Sequence, residues 1–229
     1  MKAPRIVLCA ALLAPLAPGP AARAADLPAA DGASYALRVT SLKEGRFRQT
    51  VRQQFDYSCG SAAVATLLTY HFDHPVTEQA AFQQMFLHGD QQRIRRDGFS
   101  LLDIKRFLAS LGYAADGFEL PLEKLAEAGF PAIVLVAERG YHHFVVVKGL
   151  AGGRVLLGDP AGGTRAMPRA QFDAIWQNGL LFVVHGSARK PRFNAAADWR
   201  AAPQAALAGG IERDSLLRQT LPKLGDGNF

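Results

Sequence analysis

The fold of this chain is decided by residues 53–70, which read QQFDYSCGSAAVATLLTY. From Gly60 onward almost every residue is small or apolar, which is typical of a helix buried on most sides rather than of a surface helix with one polar face. Cys59 stands directly before this helix. A thiol at a helix N-terminus meets the positive end of the helix dipole and free backbone N–H groups, and both favour the thiolate, the attacking form of cysteine. Cys59 is therefore the candidate nucleophile.

The start of the chain has the features of a secretory signal. Lys2 and Arg5 give a positive start, and residues 6–16 form an apolar core too short to span a bilayer comfortably. Ala22-Arg23-Ala24 is a small-x-small cleavage site. We expect cleavage after Ala24, export to the periplasm and no stable insertion into the membrane.

Removing this signal changes the meaning of the charge and of the cysteine count. The formal charge falls from +6 to +3, because the signal holds Lys2, Arg5 and Arg23 and no acidic residue. With no interleaved basic and aromatic residues, we expect no nucleic-acid partner. Cys9 is lost with the signal, so Cys59 is the only thiol of the mature chain. A lone cysteine in an oxidising compartment is either buried and inert or reactive, and the count alone leaves both open.

The rest of the chain predicts helices first and strands afterwards. Helical spacing and capping residues predict helices at residues 60–70, 76–87 with Thr77 as N-cap, 101–111 with Ser100 as N-cap, and 122–128. Runs of branched apolar residues predict strands at residues 132–136, 143–147, 154–157 and 181–184, with hairpin turns at Gly152-Gly153 and Gly162-Gly163. Residues 91–98 read as a basic turn. This order predicts an α+β fold, with N-terminal helices packed on a C-terminal antiparallel sheet.

A cysteine nucleophile needs a base, and the base needs an orienting partner. Of the six histidines, only His142 and His143 open a predicted strand, and Asp159 follows His143 by 16 residues at the end of the next strand. Two antiparallel strands joined by Gly152-Gly153 could bring His143 and Asp159 side by side. Neighbouring strand residues face opposite sides, so only one of the two histidines can meet Cys59, and we favour His143.

The remaining polar residues have simpler interpretations. Acyl transfer needs donors for the oxyanion, and the Gln53 amide, six residues before Cys59, could supply one beside the Cys59 N–H. Gln54 is the alternative. An Asp159-Pro160 pair alone is typical of a turn. A lone cysteine and scattered histidines lack metal-ligand spacing, so we expect neither metal nor cofactor.

Several motifs, in order along the chain, resemble those of the C39 family of papain-like cysteine peptidases, which includes peptidases that cut bacteriocin precursors after a double-glycine leader. The motifs are Gln53-x5-Cys59-Gly60-Ser61-Ala62, Gly98-x-Ser100-Leu101, Leu111-Gly112, Pro131-Ala132-Ile133, His143-Phe144-Val145-Val146-Val147, Asp159-Pro160-Ala161 and Phe172-x3-Trp176. The resemblance covers roughly residues 53–184. One departure is Ser58, which stands where the family usually has an acidic residue before the cysteine.

The resemblance implies a papain-like fold and a role for each site residue. Cys59 would be the nucleophile, His143 the base, Asp159 its orienting partner and Gln53 part of the oxyanion hole. The substrate would be an exported polypeptide cut after small or glycine residues. We expect a stand-alone exported protein without a transporter domain, similar to members that occur beside secretion systems, including those for functional amyloid.

The predicted organisation is a signal at residues 1–24, an N-terminal arm at 25–41, a C39-like peptidase domain at 42–186 and a tail at 187–229 with a short helix near 214–219. The protein is expected to act as a monomer, with secretion machinery as its possible partner. Two rival functions remain open. The same triad supports acyl transfer to an amine, and a domain of this kind could hold a secreted chain without cutting it.

Overall fold

The computed structural model describes residues 24–28, 34–38, 40–138, 140–187 and 189–202, and it divides into two units, Met1–Ser41 and Leu42–Phe229. In the first unit, β1 (Ala24–Pro28) pairs with β2 (Ser34–Arg38) as an antiparallel hairpin. No strand was predicted here, because this Ala-rich segment lacks the runs of branched apolar residues that marked the predicted strands. Residues 1–23 of the predicted signal and the predicted helix near 214–219 lie outside the described residues.

The second unit contains eight described helices and six described strands. In chain order they are α1 (Leu42–Arg46), α2 (Cys59–His71), α3 (Glu78–His88), α4 (Gln91–Asp97), α5 (Leu101–Ser110), β3 (Ala114–Glu119), α6 (Glu123–Ala128), β4 (Ala132–Glu138), β5 (Tyr141–Ala151), β6 (Arg154–Asp159), β7 (Gly163–Pro168), α7 (Arg169–Ile175), β8 (Leu180–His185) and α8 (Ala196–Ala201). The strands form one antiparallel sheet in the order β3-β8-β4-β5-β6-β7. The predicted α+β class is confirmed. Within the described residues, no helix has both the length and the hydropathy needed to cross a membrane.

Helix α2 is buried along most of its length, as predicted, because it packs against the sheet and against α3 and α5. Gly60 is required by this packing, since a Cβ atom there would lie only 2.9 Å from the Cβ of Phe99. The helix begins at Cys59, whose side chain is 6% exposed. The close packing therefore fixes the position of the thiol.

The sheet is covered on both faces, and β5 shows this most clearly. Phe144 and Val146 join an apolar cluster with α2, α3 and α5, whereas Val145 and Val147 join a second cluster with α6 and α7. Successive strand residues point to opposite faces. A strand buried on both faces reads as a continuous apolar run, which is how β5 looks in the sequence.

The predicted helix caps are confirmed. The Thr77 hydroxyl accepts a hydrogen bond from the Ala80 N–H, and Ser100 forms a capping box with Asp103. Each cap supplies a partner to a backbone N–H that the helix leaves unpaired, which fixes where α3 and α5 begin.

The prediction of a basic turn at residues 91–98 is wrong, since these residues form α4. The Asp90 carboxylate caps this helix by accepting hydrogen bonds from the N–H groups of Gln92 and Arg93. Ile94 is its only buried residue. One apolar contact in seven residues leaves no helical periodicity to read.

Two hairpins connect β5 to β6 and β6 to β7. The first lies between Ala151 and Arg154, and the second lies between Asp159 and Gly163. Gly152 and Gly153 form a two-residue turn between Ala151 and Arg154, with φ of +56° and +69°, as predicted for this pair. The register of β5 and β6 then shifts between Val147 and Gly149, at a bulge.

Candidate active site

Cys59 is the first residue of α2 and is buried. Burial raises the pKa of the thiol, and hydrogen bonds from the N–H groups of Phe144, Gly60 and Cys59 itself offset only part of this effect. The negative charge of Asp159 raises it further. The expectation that the helix start would favour the thiolate is therefore wrong in its net direction, because burial outweighs the backbone groups. A nearby proton acceptor is needed to activate this thiol.

His143 is the histidine that the fold buries beside an acid. Its Nε2 lies 3.4 Å from Oδ2 of Asp159, and the two residues are 5% and 4% exposed. Its other ring nitrogen, Nδ1, is buried and has no hydrogen-bond partner among the described residues. The Tyr141 ring stacks on the imidazole with centroids 5.5 Å apart, while His142 is exposed. The structure thus pairs His143, not His142, with Asp159.

The Asp159 carboxylate is held on both oxygens. Its Oδ1 accepts from the N–H groups of Ala161 at 2.9 Å and Gly162 at 3.1 Å, and Oδ2 also accepts from Nε of Arg165 at 3.1 Å. Burial alone would raise the pKa of Asp159, but the hydrogen bond and charge of His143, the charge of Arg165 and the Ala161 N–H bring it down to about 2. The group is therefore ionised at neutral pH. The turn expected at Asp159-Pro160 is also what holds the carboxylate.

Gln53 reaches the same region, but its amide faces its own loop. Its backbone N–H donates to the Pro160 carbonyl at 3.1 Å, which ties the loop to the Asp159 turn. Its Nε2 donates to the carbonyls of Phe55 at 3.0 Å and Asp56 at 3.4 Å, and its Oε1 is buried without a partner among the described residues. The structure brings Gln53 near the site without aiming a free donor at Cys59. The alternative, Gln54, is exposed.

Two residues of this region, Tyr141 and Arg165, were not predicted from the sequence to lie at the site. Tyr141 donates a hydrogen bond to the Asp56 carbonyl at 2.5 Å; burial raises the pKa of this tyrosine, as do the charges of Cys59 and Asp56. Arg165 binds the Asp159 carboxylate. Strand alternation could have found both. Tyr141 stands two residues before His143, and Arg165 stands two residues after Gly163, which pairs with Asp159.

An open cavity of about 760 Å³ borders His143. Its lining includes Glu138, Tyr141, His143, Arg165, Met167 and Ile175. Cys59 and Asp159 are not among its lining residues.

Comparison with known proteins identifies similar sequences across most of this unit. Residues 48–188 match the family described as the Peptidase C39 family. Two curated proteins named "Probable functional amyloid protease FapD", from Pseudomonas aeruginosa and Pseudomonas fluorescens, are 41% and 40% identical over 160 and 155 residues. These matches cover 69% and 68% of this chain, and 70% and 68% of the relatives. The Lactococcin-G-processing and transport ATP-binding protein LagD of Lactococcus lactis subsp. lactis is 29% identical over 63% of this chain and 20% of that protein.

Solved structures give the same result for the fold. A double glycine motif protease from an AMS/PCAT transporter, in complex with its leader peptide, matches with a TM-score of 0.50 and 27% identity, over 62% of this chain and 90% of that one. The peptidase domain of Streptococcus ComA matches with a TM-score of 0.52 over 61% of this chain and 98% of that domain. At 19% identity, this second likeness concerns the fold alone.

Proposed function

Since the chain belongs to the peptidase C39 family and is a cysteine peptidase, we propose that Cys59, His143 and Asp159 form its catalytic triad. The observation that carries this assignment is the state of the His143 ring. One nitrogen is held by an ionised carboxylate, and the other is buried and finds no partner in the described ranges of the chain. The next residue, Phe144, directs its N–H at the Cys59 thiol. An unpaired buried nitrogen costs stability, so its retention next to Phe144, whose N–H acts on the Cys59 thiol, supports a functional role.

In the proposed reaction, Nδ1 of His143 takes the proton of the Cys59 thiol while the sulfur attacks the scissile carbonyl. Asp159 holds the other side of the ring and stabilises the imidazolium that forms. The imidazolium then protonates the leaving amine, a thioester remains on Cys59, and water hydrolyses it. Because burial raises the pKa of the thiol, the thiolate forms through this transfer to His143 rather than as a free anion.

We assign the oxyanion hole to the Cys59 N–H and the Gln53 amide. Nε2 of Gln53 must then exchange one of its two loop hydrogen bonds for the oxyanion. The contact to the Asp56 carbonyl, at 3.4 Å, is the longer and weaker of the two. The unpaired Oε1 shows that the loop does not satisfy this amide fully.

The proposed substrate is an exported polypeptide of a functional amyloid system, cut after small or glycine residues. The relatives named as functional amyloid proteases and the double glycine motif protease support this choice. We place the reaction in the periplasm, after removal of residues 1–24, and expect neither metal nor cofactor to take part.

The test uses the reduced mature chain, residues 25–229, and peptides that carry a double glycine followed by varied residues. Mass spectrometry should find two fragments whose combined mass exceeds the substrate by one water, and Cys59→Ala should give none. A new amide product in the presence of an added amine would instead identify an acyltransferase. Peptide binding without any cleavage, equal in the wild type and Cys59→Ala, would identify a binding module and refute the peptidase mechanism.

A further inference from the structure

Arg165 is a charged residue next to the proposed triad that the mechanism above does not use. It lies on β7, and its guanidinium bridges two carboxylates. Nε donates to Oδ2 of Asp159 at 3.1 Å, and Nη2 donates to Oε1 of Glu138 at 2.7 Å. The Arg165 side chain is 25% exposed, so water screens these contacts only in part.

We propose that Arg165 is a positioning residue of the active site, which fixes the Asp159 carboxylate so that Oδ2 faces His143. The inference rests on the role proposed above for Asp159. Glu138 would hold the far end of the guanidinium and so set its direction. Arg165 itself touches neither the substrate nor the sulfur in this scheme.

The hydrogen bonds around Asp159 support this role. Its Oδ1 is fixed by two backbone N–H groups of its own turn, whereas Oδ2 meets only Arg165 and His143 within the described part of the chain. The His143 contact, at 3.4 Å, is too long to hold Oδ2 alone. A guanidinium is planar and carries its donors in a rigid fork, so it can orient two carboxylates at once.

The charges around Asp159 point the same way. The titratable and charged groups that face it are His143, Cys59, Tyr141 and Arg165, and Arg165 is in turn paired with Glu138. Loss of Arg165 would remove a charge that lowers the pKa of Asp159. It would also leave Asp159 uncompensated beside the thiol, whose pKa this carboxylate already raises. This loss of a compensating positive charge moves the low-pH limb of thiol reactivity toward higher pH.

Arg169 offers a matched control elsewhere on the domain. It too bridges two carboxylates, through Nη1 to Glu123 and Nε to Asp173, and its side chain is 32% exposed. Neither carboxylate touches the proposed triad in the described contacts. Arg169→Gln therefore removes the same kind of bridge without changing the site.

The experiment measures the rate of Cys59 alkylation by iodoacetamide across pH, together with peptide turnover, for the full mature chain. In Arg165→Gln, the low-pH limb should move up by about one pH unit and turnover should fall about tenfold with little change in KM. Arg165→Lys should restore the limb, because it keeps the charge, but not the turnover, because an ammonium cannot fork between two carboxylates. Arg169→Gln should match the wild type in both.

An alkylation profile of Arg165→Gln that superimposes on that of Arg169→Gln would overturn the proposal, even if thermal stability falls. If Arg165→Gln does not fold, Arg165→Lys decides, and wild-type turnover in that variant would also refute the positioning role. Alkylation needs no peptide substrate. A wild type that is alkylated normally but cuts nothing would therefore refute the peptidase mechanism while leaving the Arg165 profile readable.

Discussion

Strand β5 carries two buried ionisable side chains five residues apart, Lys148 and His143, and they differ in how fully their polar atoms are paired. Lys148 is fully buried, forms an ion pair with Asp198 of α8, donates to the Gln49 carbonyl and lies 5.6 Å from the Tyr70 ring centroid. His143, by contrast, has one ring nitrogen paired with Asp159 and one with no hydrogen-bond partner in the part of the chain that the structure describes. A buried polar group whose atoms have partners helps to specify the structure. A buried group with an unpaired atom keeps the capacity to accept or donate a proton.

An unpaired nitrogen alone does not make a catalytic histidine, as His71 near Lys148 shows. Its Nδ1 lies 2.6 Å from the Arg192 carbonyl, and its Nε2 is buried without a partner among the described residues. Burial and the charge of Lys148 lower the pKa of His71 to about 3. This ring is neutral at working pH and has no nucleophile assigned beside it. What distinguishes His143, the proposed base, is an ionised carboxylate on one ring nitrogen and a next residue, Phe144, whose N–H lowers the pKa of the Cys59 thiol.

The region around Lys148 holds the segment that follows the sheet, residues 189–202. Arg192 donates its N–H to the His71 carbonyl at 2.9 Å, and Asn194 donates its N–H to the Lys148 carbonyl at 2.9 Å. Residues 189–202 thus pack on the domain, although they lie beyond residue 188, where the family match ends, and within the predicted tail.

The largest effect is expected on peptide turnover, when His143 is replaced. His143→Ala should lower peptide turnover about a thousandfold, because it removes the proposed base. The free energy of unfolding should change far less than turnover, since the ring has an unsatisfied nitrogen. Kinetics and urea unfolding measure the two effects. His142→Ala is the matched control and should stay active, and an inactive His142→Ala with an active His143→Ala would reverse the assignment.

Replacing Lys148 should change the free energy of unfolding rather than peptide turnover. Lys148→Met leaves Asp198 buried without its counter-charge and should lower the free energy of unfolding by about 3 kcal/mol. A second change, Asp198→Leu, should restore much of this loss, because an apolar pair needs no partner. Lys105→Met, which breaks the exposed Lys105–Asp116 pair, should be nearly neutral. Equal urea midpoints for Lys148→Met and Lys105→Met would contradict a structural role for the buried pair.

Gln53 belongs with His143 in this comparison, because it lies in the same region and its Oε1 has no hydrogen-bond partner among the described residues. Gln53→Ala should lower turnover about a hundredfold by removing one oxyanion donor, with little change in KM. Gln54→Ala, one residue along and exposed, should leave turnover unchanged. If the two variants have the same turnover, the oxyanion hole does not include Gln53.

The smallest effect concerns acid. The pKa of His71 is about 3 in the folded chain and near 6.5 in the unfolded one, so the unfolded chain binds more protons between these values. Stability should therefore fall as the pH drops below about 6, by about 1 kcal/mol per pH unit from this group. His71→Asn keeps a donor for the Arg192 carbonyl and should flatten this slope in urea unfolding. His88→Asn, an exposed change, should keep the wild-type slope, and a steep slope in His71→Asn would exclude His71 as its source.

The sequence was most informative where a local pattern determines the structure. The buried helix after Cys59, the caps at Thr77 and Ser100, and the Gly152-Gly153 turn all follow from short-range rules. The Lys148–Asp198 pair could not be predicted, because a lysine in a strand is usually exposed and its partner lies 50 residues away. The net direction of the Cys59 pKa shift also depends on burial, which only the assembled fold provides.

The bulge at Lys148 also decides which histidine meets the acid. The two-residue turn sets Ala151 opposite Arg154, and an uninterrupted ladder from there would place Asp159 opposite Val146 and on the side of His142. The bulge offsets the count by one, so Val146 faces Gly158 and Asp159 falls on the side of His143. A single extra residue thus acts as a phase shift between the two strands. Deleting one residue there would turn the imidazole away from the acid without altering either side chain.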